Sequence, residues 1–376
     1  MAGYVIQGID EANLPEVSQF LIRTFESPES STGSLQGDGG PRVGPVGSAG
    51  DYRWLLDEGN PARDEGIPCG EIIRNDQGLV VGMLCYVPMF FRFEDRRLLG
   101  LGGHNFYVDS SARMQGFILF RRYLNHPRAD FCFSTTCNAI SGPLWIKCGA
   151  AQVPESDAEY LLVFRSGPVL QEVAIKRRVP STLASAVGLI GPLADLVARR
   201  GKTARRIAVE RCDDWDRLAA VADQHRDPSR LTPDRSVTGL MRKYQGMIRI
   251  GVATGKLDGT YRFRDGSGQE GWFSVQERSR GRSGQIRGVN LLDALWPQKL
   301  MKVEDVLYAI IEAVAPHADL LSIRDRIALG LRPGLVGFRR RRLVAPEAFL
   351  FTRQRSDLPG PSELVRISDF PEAYGV

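Results

Sequence analysis

Hydrophobic positions along the chain alternate between two periods. Leu14, Val17, Phe20, Leu21 and Phe25 recur at helical spacing after a short strand at 4–8, the pattern that turns one helix face to a core. Residues 26–50 are rich in Gly, Ser and Pro with few large apolar side chains, which predicts a long loop. Residues 52–57 read as one or two helical turns. Three strands follow, at 69–73, 79–93 and 98–108, the first two joined by the hairpin signal Asn75-Asp76-Gln77-Gly78. Helical spacing returns with Phe117, Phe120, Tyr123 and Leu124, predicting a helix over 116–124, then a strand at 131–135, a helix at 140–148 and a strand at 160–164.

The second half repeats this grammar. A basic, Ala/Gly/Leu-rich stretch at 171–206 predicts a helical connection, for which a membrane-surface helix is the less favoured reading. Strands are predicted at 207–211, 260–263, 270–278, 285–292, 320–323 and 349–352, with helices at 214–222 and 303–314. Sliding the chain along itself superposes Gly149, Glu159, Leu162 and Arg165 on Gly337, Glu347, Leu350 and Arg353 without a gap, which suggests an internal repeat. The expected class is mixed α/β (α+β), with a first domain over 1–168, a linker over 169–206 and a second domain over 207–376.

Composition narrows the function classes. With 376 residues and 43% hydrophobic content there is material for two cores. A net charge of +5 is slight for this length and disfavours a dedicated nucleic-acid binder. The six cysteines lie mostly in apolar runs without C-x-x-C spacing, so they read as reduced thiols in a cytoplasmic protein. No secretory-signal pattern or membrane span is read, and no metal-ligand spacing, Walker loop or dinucleotide fingerprint occurs. Arg339–Arg342 form a run of four cations beside an apolar strand, read first as a guarded strand edge and second as a phosphate or polysaccharide contact.

The candidate chemistry lies between Phe106 and Ile118. A strand ending at Val108, a short turn and a helix place unpaired amides and a positive helix end together, an anion site by construction. Arg113 adds a permanent charge with forked donors, and Gly116 is expected to let a phosphate approach the backbone. His104, on the strand leading into this turn, is the first candidate general base.

Val108-Asp109, Arg113 and Gly116, followed by Asn138, Leu144, Lys147 and Gly149, resemble the GNAT acyltransferase superfamily. Its motif Gln/Arg-x-x-Gly-x-Gly/Ala is matched except at Ile118, and its frequent tyrosine proton donor is replaced by Trp145. The resemblance covers 1–168 and implies two GNAT-like domains, each a mixed, mostly antiparallel sheet flanked by helices, the second degenerate. It implies acetyl-CoA or another acyl-CoA as co-substrate, held by Tyr107, Val108, Arg113, Met114, Gln115, Gly116, Phe117, Ile118 and Asn138. It further implies direct attack on the thioester by an amine of a small molecule or sugar, with amides near Tyr107 and Val108 meeting the oxyanion and Tyr160 or Tyr123 supplying a proton in place of Trp145. Tyr52, Trp54 and Asn60-Pro61 fall where such folds build the acceptor pocket. Two other readings remain: an aminoacyl-tRNA-dependent peptide-bridge aminoacyltransferase and a non-catalytic acyl-CoA binder.

Overall fold

The computed structural model describes residues 3–21, 23–24, 66–135, 137–154, 156–188, 207–281, 285–323, 338–342, 346, 348–352 and 357–358. The loop expected at 26–50, the acceptor-pocket candidates Tyr52, Trp54 and Asn60-Pro61, and part of the connection, 189–206, lie outside them. Strand β1 (Val5–Gly8) and helix α1 (Leu14–Leu21) lead to an antiparallel meander of β2 (Gly70–Arg74), β3 (Val80–Phe93) and β4 (Arg96–Val108). The Asn75–Gly78 signal closes as a turn: Asn75 Oδ1 accepts from the amides of Gln77 and Leu79, and Gly78 takes φ +77°, a left-handed conformation suited to glycine. Helix α2 (Arg113–Leu124) covers one face, and β5 (Phe131–Ser134) returns parallel to β4, followed by α3 (Ser141–Lys147) and β6 (Ala151–Gln152).

From β7 (Ala158–Val163) the chain builds a second sheet. Helices α4 (Ser166–Lys176) and α5 (Ser181–Gly188) occupy the predicted connection as far as it is described. Then come β8 (Ala208–Arg211), α6 (Trp215–Gln224), β9 (Thr232–Pro233), α7 (Val237–Leu240), a π-helical turn over Met241–Gln245 and α8 (Gly246–Ala253). The second meander is β10 (Gly259–Arg264), β11 (Glu270–Arg280) and β12 (Ile286–Leu295), followed by α9 (Val303–Val314) and β13 (Leu320–Ile323), which pairs parallel to β12. Strands β14 (Phe338–Arg342) and β15 (Phe349–Phe351) end the described chain's regular structure.

Among the described residues the first sheet runs β1-β2-β3-β4-β5-β15-β6, with β9 on β3, and the second β14-β7-β13-β12-β11-β10-β8. The two sheets exchange strands. β7 lies between β13 and β14, while β15 lies between β5 and β6. The self-matching residues Leu162 and Leu350 fall on these exchanged strands. Both cross the expected division at residue 168, so the two sheets are tied covalently and by hydrogen bonds at their far strands. Each sheet seats its own core under one long helix: Leu119, Phe120, Tyr123 and Leu124 of α2 in the first, Val306, Leu307, Ile310 and Val314 of α9 in the second.

Candidate functional site

The sequence opens a fork between β4 and β5. The two strands pair only from Gly100 to Gly102 with Phe131 to Phe133, while β4 continues to Val108. At the point of divergence the Tyr123 hydroxyl lies 2.7 Å from the Leu101 carbonyl and 2.9 Å from that of Phe133, bridging both strands. A Cβ on Gly103 would come within 2.8 Å of this hydroxyl. Burial pushes the Tyr123 hydroxyl well above the ordinary tyrosine range, so it stays protonated and acts as a structural bridge rather than a proton source.

A β-bulge shapes the strand beyond the fork. Met83 pairs with Tyr107 and Cys85 with His104, so Leu84 faces both Asn105 and Phe106, and Asn105 takes φ +48°. The extra residue reverses the side-chain phase. His104 and Tyr107 share the α1 face with Met83 and Cys85, with the Tyr107 ring 5.8 Å from Phe20. Phe106 and Val108 instead pack on the α2 side, with Phe106 5.6 Å from Phe120. Asp109 donates its amide to the Val81 carbonyl at 2.8 Å. Alternation of the antiparallel ladder therefore directs the Tyr107 amide toward β3 and the Val108 amide toward the fork, which narrows the pair of expected oxyanion donors to Val108.

After Val108 the chain makes a 3₁₀ turn over Ser110–Ala112 and enters α2 at Arg113, one turn earlier than the predicted start at Gly116. Neither Asp109 nor Ala112 caps the helix with its side chain, and α2 has no acid in its first turn. Among the described residues, then, no N-cap side chain satisfies the leading amides, and no acid of the first turn adds to them. Arg113, Met114, Phe117 and Ile118 are exposed and Gln115 is half-buried. Gly116 also has a packing role. A Cβ there would lie 2.9 Å from Val108 Cγ2, so glycine lets the helix sit on the strand end, and the turn's position follows from that close packing.

His104 is buried, and among the described residues its Nε2 has no hydrogen-bond partner. Burial lowers its pKa from the usual histidine value to about 4, so the ring is neutral near pH 7. It has the charge state of a base but is sealed from solvent on the α1 face. Asn138 spends its Oδ1 on the start of α3, accepting from the amides of Ile140 and Ser141 at 2.9 Å each, which leaves Nδ2 as the group it can offer. Tyr160 is not brought to the turn: it lies on β7 in the second sheet, buried in that sheet's core with Ala158 and Leu162. Trp145 is a packing residue, 5.4 Å from Phe120 and 5.9 Å from Tyr123. The bulge is the feature that sequence reasoning passed over, although Gly102-Gly103-His104-Asn105 inside a strand was its signal.

No protein-family model matches the chain, and no curated protein matches it. Solved structures do. Saccharomyces cerevisiae N-myristoyltransferase with bound myristoyl-CoA is similar at 12% identity and a TM-score of 0.54, with 96% of this chain and 89% of that chain covered. A conserved protein of Enterococcus faecalis V583, called a probable N-acyltransferase, is similar at 10% identity and a TM-score of 0.52, with 94% and 73% covered. The chain shares the fold of these two structures. Among the described residues it is built on two mixed, mostly antiparallel sheets flanked by helices. Among the described residues no helix is long and apolar enough to cross a membrane.

Proposed function

We propose that the chain is an acyl-CoA-dependent N-acyltransferase whose donor site is the β4–β5 fork and the turn into α2. The observation that carries this reading is the parting of β4 from β5 immediately before an uncapped, acid-free helix start bearing Arg113. A pantetheine arm can complete the unpaired edge of β4, as an added strand would. The diphosphate then meets the leading amides of α2 and the Arg113 guanidinium. Met114, Gln115, Gly116, Phe117 and Ile118 continue that turn, with Ile118 adding bulk beside it. Asn138 Nδ2 faces the site from the next helix in this reading.

The bound thioester supplies an activated acyl carbon, and the chain's part is to position it and accept charge. The amide of Val108 is placed to donate to the developing oxyanion. His104, neutral near pH 7, takes the amine's proton through Nε2 once a substrate or water reaches it. We assign the acceptor to the amine class, a small molecule or sugar.

A short acyl group, acetyl first, is favoured by the floor of the fork. Phe106, Phe120, Tyr123, Trp145 and Phe349 fill the α2 side in a continuous aromatic stack, so a long chain has to displace packed rings there. A second reading, a non-catalytic acyl-CoA binder, is favoured by the sealed Nε2 of His104 and by the placement of Tyr160 in the other sheet.

Calorimetric titration with acetyl-CoA tests the donor site, with binding expected to weaken about tenfold in Arg113→Ala, as loss of a charged hydrogen bond gives. Unchanged affinity in that variant overturns the assignment. Thiol release from acetyl-CoA over an amine panel, compared with His104→Ala, then separates an enzyme from a binder.

A further inference from the structure

A surface helix normally turns polar side chains to water, and α2 turns large apolar ones there as well. Its buried face is Gly116, Leu119, Phe120, Tyr123 and Leu124, and its outward face carries Met114 at 75% exposure and Ile118 at 45%, with Phe117 at 45% on the flank. Helix α3 lies on the same side of the first sheet, since Trp145 joins Phe120 and Tyr123 in one core. It exposes Ile146 at 57%, and Ile140 at its start is exposed at 65%. These two helices thus hold five of the twelve large apolar side chains that stand exposed among the described residues. Scattered apolar exposure is ordinary, but concentration on one face marks an interaction surface.

The charges on this face have one sign. Arg113, Arg121 and Lys147 stand exposed among the apolar residues, and neither helix contains an acid. Between Asp109 and Glu155 the sequence has a single acidic residue, Asp130, whose carboxylate accepts from the Leu99 amide at 2.7 Å. Apolar side chains set among cations, without a counter-charge, complement a surface that is anionic outside and hydrocarbon beneath.

We infer that the outer face of α2 and α3 docks on an anionic lipid bilayer. The apolar side chains enter the headgroup boundary while Arg121 and Lys147 meet lipid phosphates. Both helices cover the same side of the first sheet, so that side is the one turned to the membrane. The inference stands on exposure and charge; its face shares Arg113, Met114, Phe117 and Ile118 with the proposed donor turn, so the variants that test it lie outside that turn.

Co-sedimentation of the full chain with vesicles tests it, using phosphatidylcholine alone and phosphatidylcholine with 40 mol% phosphatidylglycerol, an amount of about two anionic lipids in five chosen to give a clear surface potential. Binding is expected on the anionic vesicles only and should fall as salt rises. Arg121→Glu with Lys147→Glu should weaken it by at least about tenfold, at roughly fivefold per cation. Ile140→Ser with Ile146→Ser should weaken it comparably, whereas Leu79→Ser, an exposed apolar residue on the β2–β3 hairpin, should not. None of these positions belongs to the donor turn. Equal binding to both vesicle types, no binding at low salt, or indifference to both double variants overturns the inference. So does sedimentation equilibrium showing a dimer that the same variants dissociate, which would make a second copy the occupant.

Discussion

In the first sheet the face turned away from α2 is aromatic. Phe131 rests on Gly100 and Phe133 on Gly102, so closely that a Cβ would come to 2.6 and 2.8 Å of the rings, and Phe91 stacks edge-on against both. In the second sheet Gly288 holds the corresponding place, and the Arg280 side chain crosses it. Its guanidinium donates to Glu159 at 2.7 Å and Asn290 at 2.6 Å, while the Ser322 hydroxyl donates to the same carboxylate. One backbone pattern, a glycine that clears space on the third strand of the meander, thus admits either a ring or an ion pair.

The turns that follow those strands differ as sharply. Both β4 and β12 carry a bulge shortly before their ends, but the first turn leads into a helix with no acid, and the second into α9, with Glu304 and Asp305 in its first turn. Trp296, at the head of the second turn, is buried in that sheet's core. Acids at a helix start satisfy the dipole and repel phosphate. The comparison teaches that the fold supplies a strand-to-helix turn twice, and that the acids opposing an anion stand only at the second.

The largest expected effect breaks the polar face. Glu159→Leu leaves the Arg280 charge buried and should cost about 3–5 kcal/mol in urea unfolding, while Glu159→Leu with Arg280→Met should recover most of it. Failure of the double variant to recover would mean the pair does more than neutralise itself.

His104 sets the next effect. Its folded pKa of about 4 lies below the unfolded value, so the unfolded chain binds the extra proton between about pH 6.5 and 4. Stability present above that window is then lost as pH falls through it, by about 2–4 kcal/mol. His104→Phe should flatten this slope in a pH series of melting curves.

Gly116→Ala should cost about 1–3 kcal/mol by overpacking against Val108, and Val108→Ala should restore it. Without that rescue, glycine at 116 serves something other than helix-to-strand packing. Tyr123→Phe, which strips the fork's bridge from two carbonyls, should cost about 1–2 kcal/mol in the same assay.

Much of the fold was legible because its signals are local. The Asn75–Gly78 turn and the helical spacing from Leu14 appear as read, and Asp214 caps α6 through the Arg217 amide. Helices α7 and α8 were missed since Gly239, Gly246 and Gly251 weaken helix propensity, and Gly251 is needed where the Asp258 side chain packs against it. The strand exchange was not legible, because pairing of β7 with β13 is decided by distant partners. At the candidate site Arg113 and the turn could be read from the sequence. The packing role of Gly116, the sealing of His104 and the removal of Tyr160 to the other sheet depend on side-chain phase, which one bulge reverses.

Hydrogen–deuterium exchange with and without coenzyme A tests the contrast between the two turns most directly. Slowed exchange is expected over residues 103–117, with 296–304 unchanged. Protection at 296–304 instead, or at neither segment under saturating ligand, would contradict the assignment of the first turn as the donor site.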